Sequence, residues 1–181
     1  MDCLSMEDNF MKIHTYPDPV LKTKSEPILN IDEATRKLID QMAETMYTAP
    51  GIGLAANQVG VLKQLIVYDV SHKEKGPNPL VLINPEIVLA DGNIIYDEAC
   101  LSVLDYTAEV DRFAQIKVKG FDRLGKPVDI EAEGLLAVCL QHEIDHLNGV
   151  LFIDHISSLK RALYNKRLKK MLKKEEDSLN P

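Results

Sequence analysis

The stretch Leu135-Leu136-Ala137-Val138-Cys139-Leu140-Gln141-His142-Glu143-Ile144-Asp145-His146-Leu147 decides how this 181-residue chain folds. It is too continuously apolar for a helix lying on a surface, where one face stays polar, and it reads as a helix buried at the centre of the molecule. Yet four of the six residues from Gln141 to His146 are ionisable. Burying such groups without partners costs on the order of several kcal/mol for each unpaired charge. His142 and His146 stand at i and i+4, one turn apart on one face, so both rings can reach a single metal ion. Glu143 follows the first histidine and can address water on such an ion without ligating it.

A catalytic metal needs a third protein ligand and an open position for water. The extended histidine motif of metzincin proteases takes that ligand from the same segment. Gly149 fits the extension, but Phe152 stands where the third histidine should be, which excludes that subfamily. His155 lies beyond the helix and out of register. Cys139 shares the histidine face, but about 10.5 Å of helix separates it from His146 at 1.5 Å per residue, too far for one ion. It reads instead as a small apolar lining residue. The third ligand therefore comes from another segment, and Cys100 is the remaining reasonable candidate. Taken alone, Cys100 would read as a buried structural thiol.

Outward from this helix, residues 31–48 carry Ile31, Ala34, Leu38, Met42 and Thr45 or Met46 at helical spacing, and Pro50 and Gly51 end the run. Residues 64–70 and 80–84 are strand-type apolar runs, and Pro85 and Gly92 punctuate the chain beyond them. Residues 115–121 and 128–132 alternate on either side of Asp122-Arg123-Leu124-Gly125, which is a hairpin. A last helix covers about 157–174, with Leu159, Leu163, Leu168 and Leu172 as its packing side. The sum is an α+β fold: small mixed or antiparallel sheets packed around a central buried helix that carries the metal-binding histidines, with a C-terminal helix. At this length one domain over residues 11–181 is expected, after a disordered extension over residues 1–10.

Hydrophobic residues make up 45% of the chain and charged residues 27%, enough apolar side chain to bury a core. No apolar run approaches the ~18 residues of a membrane span. The first ten residues carry acids where a secretory signal has a basic flank, so the cytoplasm is the expected compartment. Cys3, Cys100 and Cys139 are an odd count without framework spacing, which reads as free thiols or ligands rather than disulfides. Eight of the 21 basic residues fall within 157–174, and no acid does. The body keeps 13 bases against 28 acids, a formal −15. A basic tail on an acidic body points to a polyanionic partner or, equally, to a solvated helix face.

Three stretches carry a resemblance. Gly51-Ile52-Gly53-Leu54-Ala55-Ala56-Asn57-Gln58, Glu98-Ala99-Cys100-Leu101-Ser102 and Gln141-His142-Glu143-Ile144-Asp145-His146-Leu147-Asn148-Gly149 resemble the three signature motifs of peptide deformylases, in that family's order and at similar separations. The resemblance runs from Tyr16-Pro17-Asp18-Pro19-Val20-Leu21 to the end of the final helix. It implies Cys100, His142 and His146 as ligands of one divalent metal, Fe²⁺ physiologically, with Zn²⁺, Ni²⁺ or Co²⁺ accepted by the isolated protein. It implies Glu143 as the catalytic carboxylate, and the Gln58 side chain and Leu101 N–H as donors to the scissile carbonyl oxygen. The reaction so implied is hydrolysis of the N-formyl group from the formyl-methionine of newly made proteins, releasing formate. Ile52, Leu135, Val138 and Cys139 are implied as lining of an apolar methionine pocket, Gly51 and Gly53 as backbone passing close to substrate, and Leu54 as a further substrate-binding residue.

The family's C-terminal helix is associated with the ribosome, so the basic segment is expected to dock there. N-formyl-methionyl peptides are the expected substrates, and neither membrane nor DNA is an expected partner. The chain departs from the family pattern at Ala99, which replaces a glycine, and at Leu104 and Asp111, where prolines are common. Thr107 falls where many bacterial members carry an arginine, while Arg112 matches another family arginine. Two other readings stay open on the residues alone. One is a metallopeptidase cutting internal bonds; the other is a non-catalytic, metal-containing module that binds RNA or the ribosome.

Overall fold

The computed structural model describes residues 10–179, so nearly all of the expected N-terminal extension lies outside the described residues. Five strands form one antiparallel sheet in the order β1 (Gly53–Ala55), β2 (Leu65–Tyr68), β3 (Leu80–Asp91), β6 (Gln115–Phe121) and β7 (Pro127–Glu133). The intervening β4 (Ile94–Cys100) and β5 (Val103–Arg112) pair only with each other, as a separate ribbon. The helices are α1 (Glu33–Thr48), the single turn α2 (His72–Lys75), α3 (Gly134–Leu147) and α4 (Ser158–Leu179). This is the expected α+β architecture, with α3 between the sheet and the ribbon.

Sequence chemistry explains how α3 is placed. β6 and β7 form the expected hairpin, and the Asp122 side chain closes its turn by accepting the Leu124 and Lys126 N–H groups at 2.8 and 2.9 Å. β7 then passes into α3 with no loop, because Gly134 takes a φ of +56° that an L side chain resists. On one side, Ala137, Leu140, Ile144 and Leu147 pack into a cluster with Ile66, Leu82, Ile116 and Val118 of the sheet. Burying one such aliphatic side chain stabilises the fold by about 1.5–3 kcal/mol. A second cluster joins Val103, Ala108 and Val110 of the ribbon to Phe152, Tyr164 and Leu168. A third seats α1 over β1 and β2.

Several expectations need correcting. Asp32 caps α1 by accepting the Thr35 N–H at 2.8 Å, so the helix begins at Glu33. Its buried face is Ile39, Met42, Ala43 and Met46, a cleaner i, i+3, i+4, i+7 set than the one through Ile31, Ala34 and Leu38. Pro85 does not end β3. It sits at a register shift between Ile83 and Glu86, where a missing N–H does no harm. In α4, Leu159 and Leu163 are exposed, and Tyr164 and Leu168 take the packing side. Among the described residues, no helix is long and apolar enough to cross a membrane.

Candidate metal centre

One turn of α3 sets the His142 and His146 rings edge-on, with centroids 4.8 Å apart and Nε2 atoms 3.2 Å apart. Cys100 ends β4, where the register with β5 shifts and the chain turns through Leu101 and Ser102. That turn brings its Sγ to 3.2 Å from His146 Nε2, and the three ligand atoms all lie within 4.8 Å of one another. Four-coordinate bond lengths of ~2.0–2.3 Å would space such atoms about 3.3–3.6 Å apart, so the cluster has the size of one ion's shell.

The electrostatics agree with a cation. Burial, then the positive neighbours His142 and Arg112, hold His146 well below the usual imidazole range, in the neutral form that ligation requires. Burial also opposes charge on His142, but Cys100, Glu98 and Glu143 outweigh it and hold that ring well above its usual value. The cluster therefore favours a positive charge, which a divalent ion would supply. His146 Nδ1 has no hydrogen-bond partner among the described residues, although the Asn57 amide donates to the His146 carbonyl.

The surroundings fix each group. His142 Nδ1 lies 2.7 Å from Glu98 Oε2, which turns Nε2 toward Cys100. Arg112 donates to both Glu98 oxygens, at 2.6 and 3.1 Å, and to Asp145 Oδ2 at 2.6 Å. Burial would raise the Glu98 pKa, yet His142 and Arg112 bring it down to about 2. The Ser102 N–H lies 3.3 Å from Cys100 Sγ. Gln58 accepts the Ala55 N–H at 2.9 Å through Oε1, which leaves Nε2 to donate to Ser102 Oγ at 3.0 Å, with Cys100 Sγ at 3.6 Å.

Glu143 is buried, and its Oε2 has no partner among the described residues. Burial first, reinforced by Glu98 and opposed by His142, raises its pKa to about 7. A Cβ at Gly53 would collide with this carboxylate, so the glycine makes room for it.

These groups open onto a cleft of about 580 Å³ lined by Gly51, Ile52, Gly53, Gln58, Cys100, Leu101, Leu135, Val138, Cys139, His142 and Glu143. Leu54 is the exception among the expected substrate residues. It is fully buried under α1, because alternation along β1 turns Gly53 toward the cleft and Leu54 away from it. His146 lies behind the lining. The Cys139 thiol donates to the Ile52 carbonyl at 3.7 Å, and burial, then Glu143 and Glu98, push its pKa well up, so it stays protonated. Sequence reasoning gave no role to Glu98, Ser102, Arg112 or Asp145, nor to Val70 and Tyr96 on the cleft wall. The one available signal was a string of ionisable residues too well buried to lack partners.

A histidine-paired helix, a strand-borne cysteine and a buried carboxylate with one free oxygen at a cleft define the class of mononuclear metal-dependent hydrolases. Comparison with known proteins is more specific. A family model described as polypeptide deformylase matches residues 10–162. The peptide deformylase of Mesorhizobium japonicum is 54% identical over 158 residues, 87% of this chain and 90% of that protein. That of Syntrophobacter fumaroxidans is 53% identical over 163 residues, 90% and 96% of the two chains. The crystal structure of a peptide deformylase from Legionella pneumophila superposes with a TM-score of 0.86 at 44% identity, covering 95% of this chain and 99% of that one. One from Synechococcus elongatus in complex with actinonin gives 0.82 at 42% identity, covering 89% and 87%. The chain belongs to the polypeptide deformylase family.

Proposed function

We propose that this enzyme removes the N-formyl group from the N-terminal formyl-methionine of newly synthesised proteins, releasing formate. The observation that carries the reading is the convergence of Cys100, His142 and His146 in a cleft beside Glu143, one of whose oxygens, Oε2, has no partner among the described residues. Those three residues would hold a divalent ion, which would supply Lewis acidity to make water nucleophilic near neutral pH. Fe²⁺ is the ion assigned physiologically, on family membership. Zn²⁺, Ni²⁺ or Co²⁺ suits the same two imidazoles and thiolate in the isolated protein, where oxygen threatens Cys100.

Glu143, with a pKa near the working pH, takes the proton from the attacking water and returns it to the departing amine. Gln58, held by the Ala55 N–H, donates from Nε2 to the carbonyl oxygen as charge develops there, and the Leu101 N–H joins it. Ile52, Leu135, Val138 and Cys139 receive the methionine side chain, and Gly51 and Gly53 let the backbone run close to substrate. The basic face of α4 is assigned to docking on the ribosome, where formylated chains emerge, and the cytoplasm is the compartment in which that happens. Residues 11–181 act as one unit in this reading.

The test is anaerobic formate release from formyl-Met peptides by wild type, Cys100→Ala, Cys139→Ala and Glu143→Gln. Loss in the first and third variants, but not the second, is expected. Cleavage of unformylated peptides at internal bonds would replace this reading with a peptidase. Binding of RNA with no turnover of any peptide would replace it with a non-catalytic module.

A further inference from the structure

Beyond α3 the chain makes a short 3-10 turn, Phe152–Asp154, and comes back along the metal helix. Phe152 stacks on the His142 ring with centroids 6.1 Å apart. The next residue but two, His155, lies at the surface, with 35% of its side chain exposed. Its Nε2 is 2.7 Å from Asp145 Oδ2, the oxygen that also accepts from Arg112 at 2.6 Å. Arg112 in turn grips both oxygens of Glu98, and Glu98 holds His142 Nδ1. Five side chains thus run unbroken from solvent to a metal ligand. Their side-chain exposure falls from 35% at His155 through 23% at Asp145 to 4% and 3% at Arg112 and Glu98.

We propose that His155 is a positioning residue for the metal centre, holding the outer end of the chain that fixes the His142 ring. The inference rests on the metal reading of this site. A surface His–Asp pair by itself contributes little. This pair differs because, among the described residues, its carboxylate is the one partner of a buried guanidinium besides Glu98. Asp145 reaches solvent, so without His155 its carboxylate turns outward to water and releases Arg112 Nη1. The guanidinium then re-aims within its buried site, the two-point grip on Glu98 loosens, and the His142 ring loses the constraint that aims Nε2 at the ion. A residue four contacts from the ligand thereby sets how tightly the ion is held.

The test uses the metal-free full chain titrated with Zn²⁺ against a chromophoric chelator, with thermal unfolding of each metal-free form measured alongside. Losing a group that contacts a ligating histidine typically costs about 10–100-fold in metal affinity, and that range is expected for Glu98→Gln. His155→Ala, further out, is expected to lose about 3–10-fold with little change in the metal-free Tm. His155→Gln keeps a nitrogen donor near the Nε2 position and is expected to recover most of the loss. Wild-type affinity in His155→Ala beside a weakened Glu98→Gln would overturn the inference and leave the metal reading intact. So would a loss that His155→Gln does not recover and that tracks metal-free stability. Equal affinity in Cys100→Ser and wild type would remove the metal reading, and this inference with it.

Discussion

The two walls of the cleft are built on different plans. α3 supplies His142, Glu143 and His146 from a single helical turn, so their mutual geometry is contained in five consecutive residues. The β4–β5 ribbon supplies Cys100, Glu98 and Arg112, which meet only because the two strands pair, with a register shift at Cys100. The helical wall carries the groups assigned to chemistry, and the ribbon wall carries a ligand together with the charges that hold His142 in place. A helix concentrates function locally; a ribbon holds it through distant contacts. The two should therefore fail differently when broken.

On the helical wall, Glu143→Gln should lower the rate of formate release by about 10²–10⁴, the range for a lost general base, while the metal is retained. Steady-state assays on protein of known metal content check this, and a drop under about tenfold would mean that Glu143 is not the proton carrier. On the ribbon wall, Arg112→Leu should act first on stability. It leaves Glu98 buried without its cation, a change that typically costs about 3–5 kcal/mol, read from urea unfolding. An unchanged urea midpoint would show that the ribbon charges do not hold the wall together.

Between the walls, Asp69 at the end of β2 secures the segment that brings Val70 to the cleft. It accepts from Tyr47 Oη and the Asn78 N–H, each at 2.7 Å, and from the Ser71 N–H at 3.1 Å. Burial opposes its charge, but those donors outweigh burial and hold its pKa below the usual 3.8. Its stabilisation is therefore complete above pH 3.8 and is lost as pH falls through the lowered folded value. Asp69→Asn should cost about 1.5–3 kcal/mol at pH 7, with the gap to wild type closing in acid. A gap that is constant across pH would contradict this. The smallest effect is expected far from both walls: Leu163→Ser on the exposed side of α4 should change stability by less than about 0.5 kcal/mol.

The same contrast explains what could be read from the sequence. The helical half was legible because i, i+4 spacing translates directly into distance, and because ionisable residues in an apolar run demand partners. The β6–β7 hairpin was legible from alternation around Asp122 and Gly125. The ribbon was not. Its inward row of Ala108, Val110 and Arg112 ends in a charge, and its outward positions are largely acidic, so no clean apolar alternation marks it. Arg112 could be matched to a family position without its role being visible, since the partner, Glu98, depends on strand register. Cys100 was reached by eliminating other ligands and by the motif resemblance. Leu54 turns its side chain away from the cleft because a strand points alternate residues in opposite directions, whereas a motif names consecutive ones. In α4, charge swamped the apolar spacing, and Leu159 and Leu163 were placed on the wrong side.

A single ion must be shared by the two walls, and anomalous diffraction at the metal edge from anaerobically grown, metal-loaded crystals tests that requirement most directly. The expected result is one peak about 2.0–2.3 Å from Cys100 Sγ, His142 Nε2 and His146 Nε2, with Glu143 beyond bonding distance. Metal bound elsewhere, or full deformylase turnover by protein with no metal at these three atoms, would contradict it.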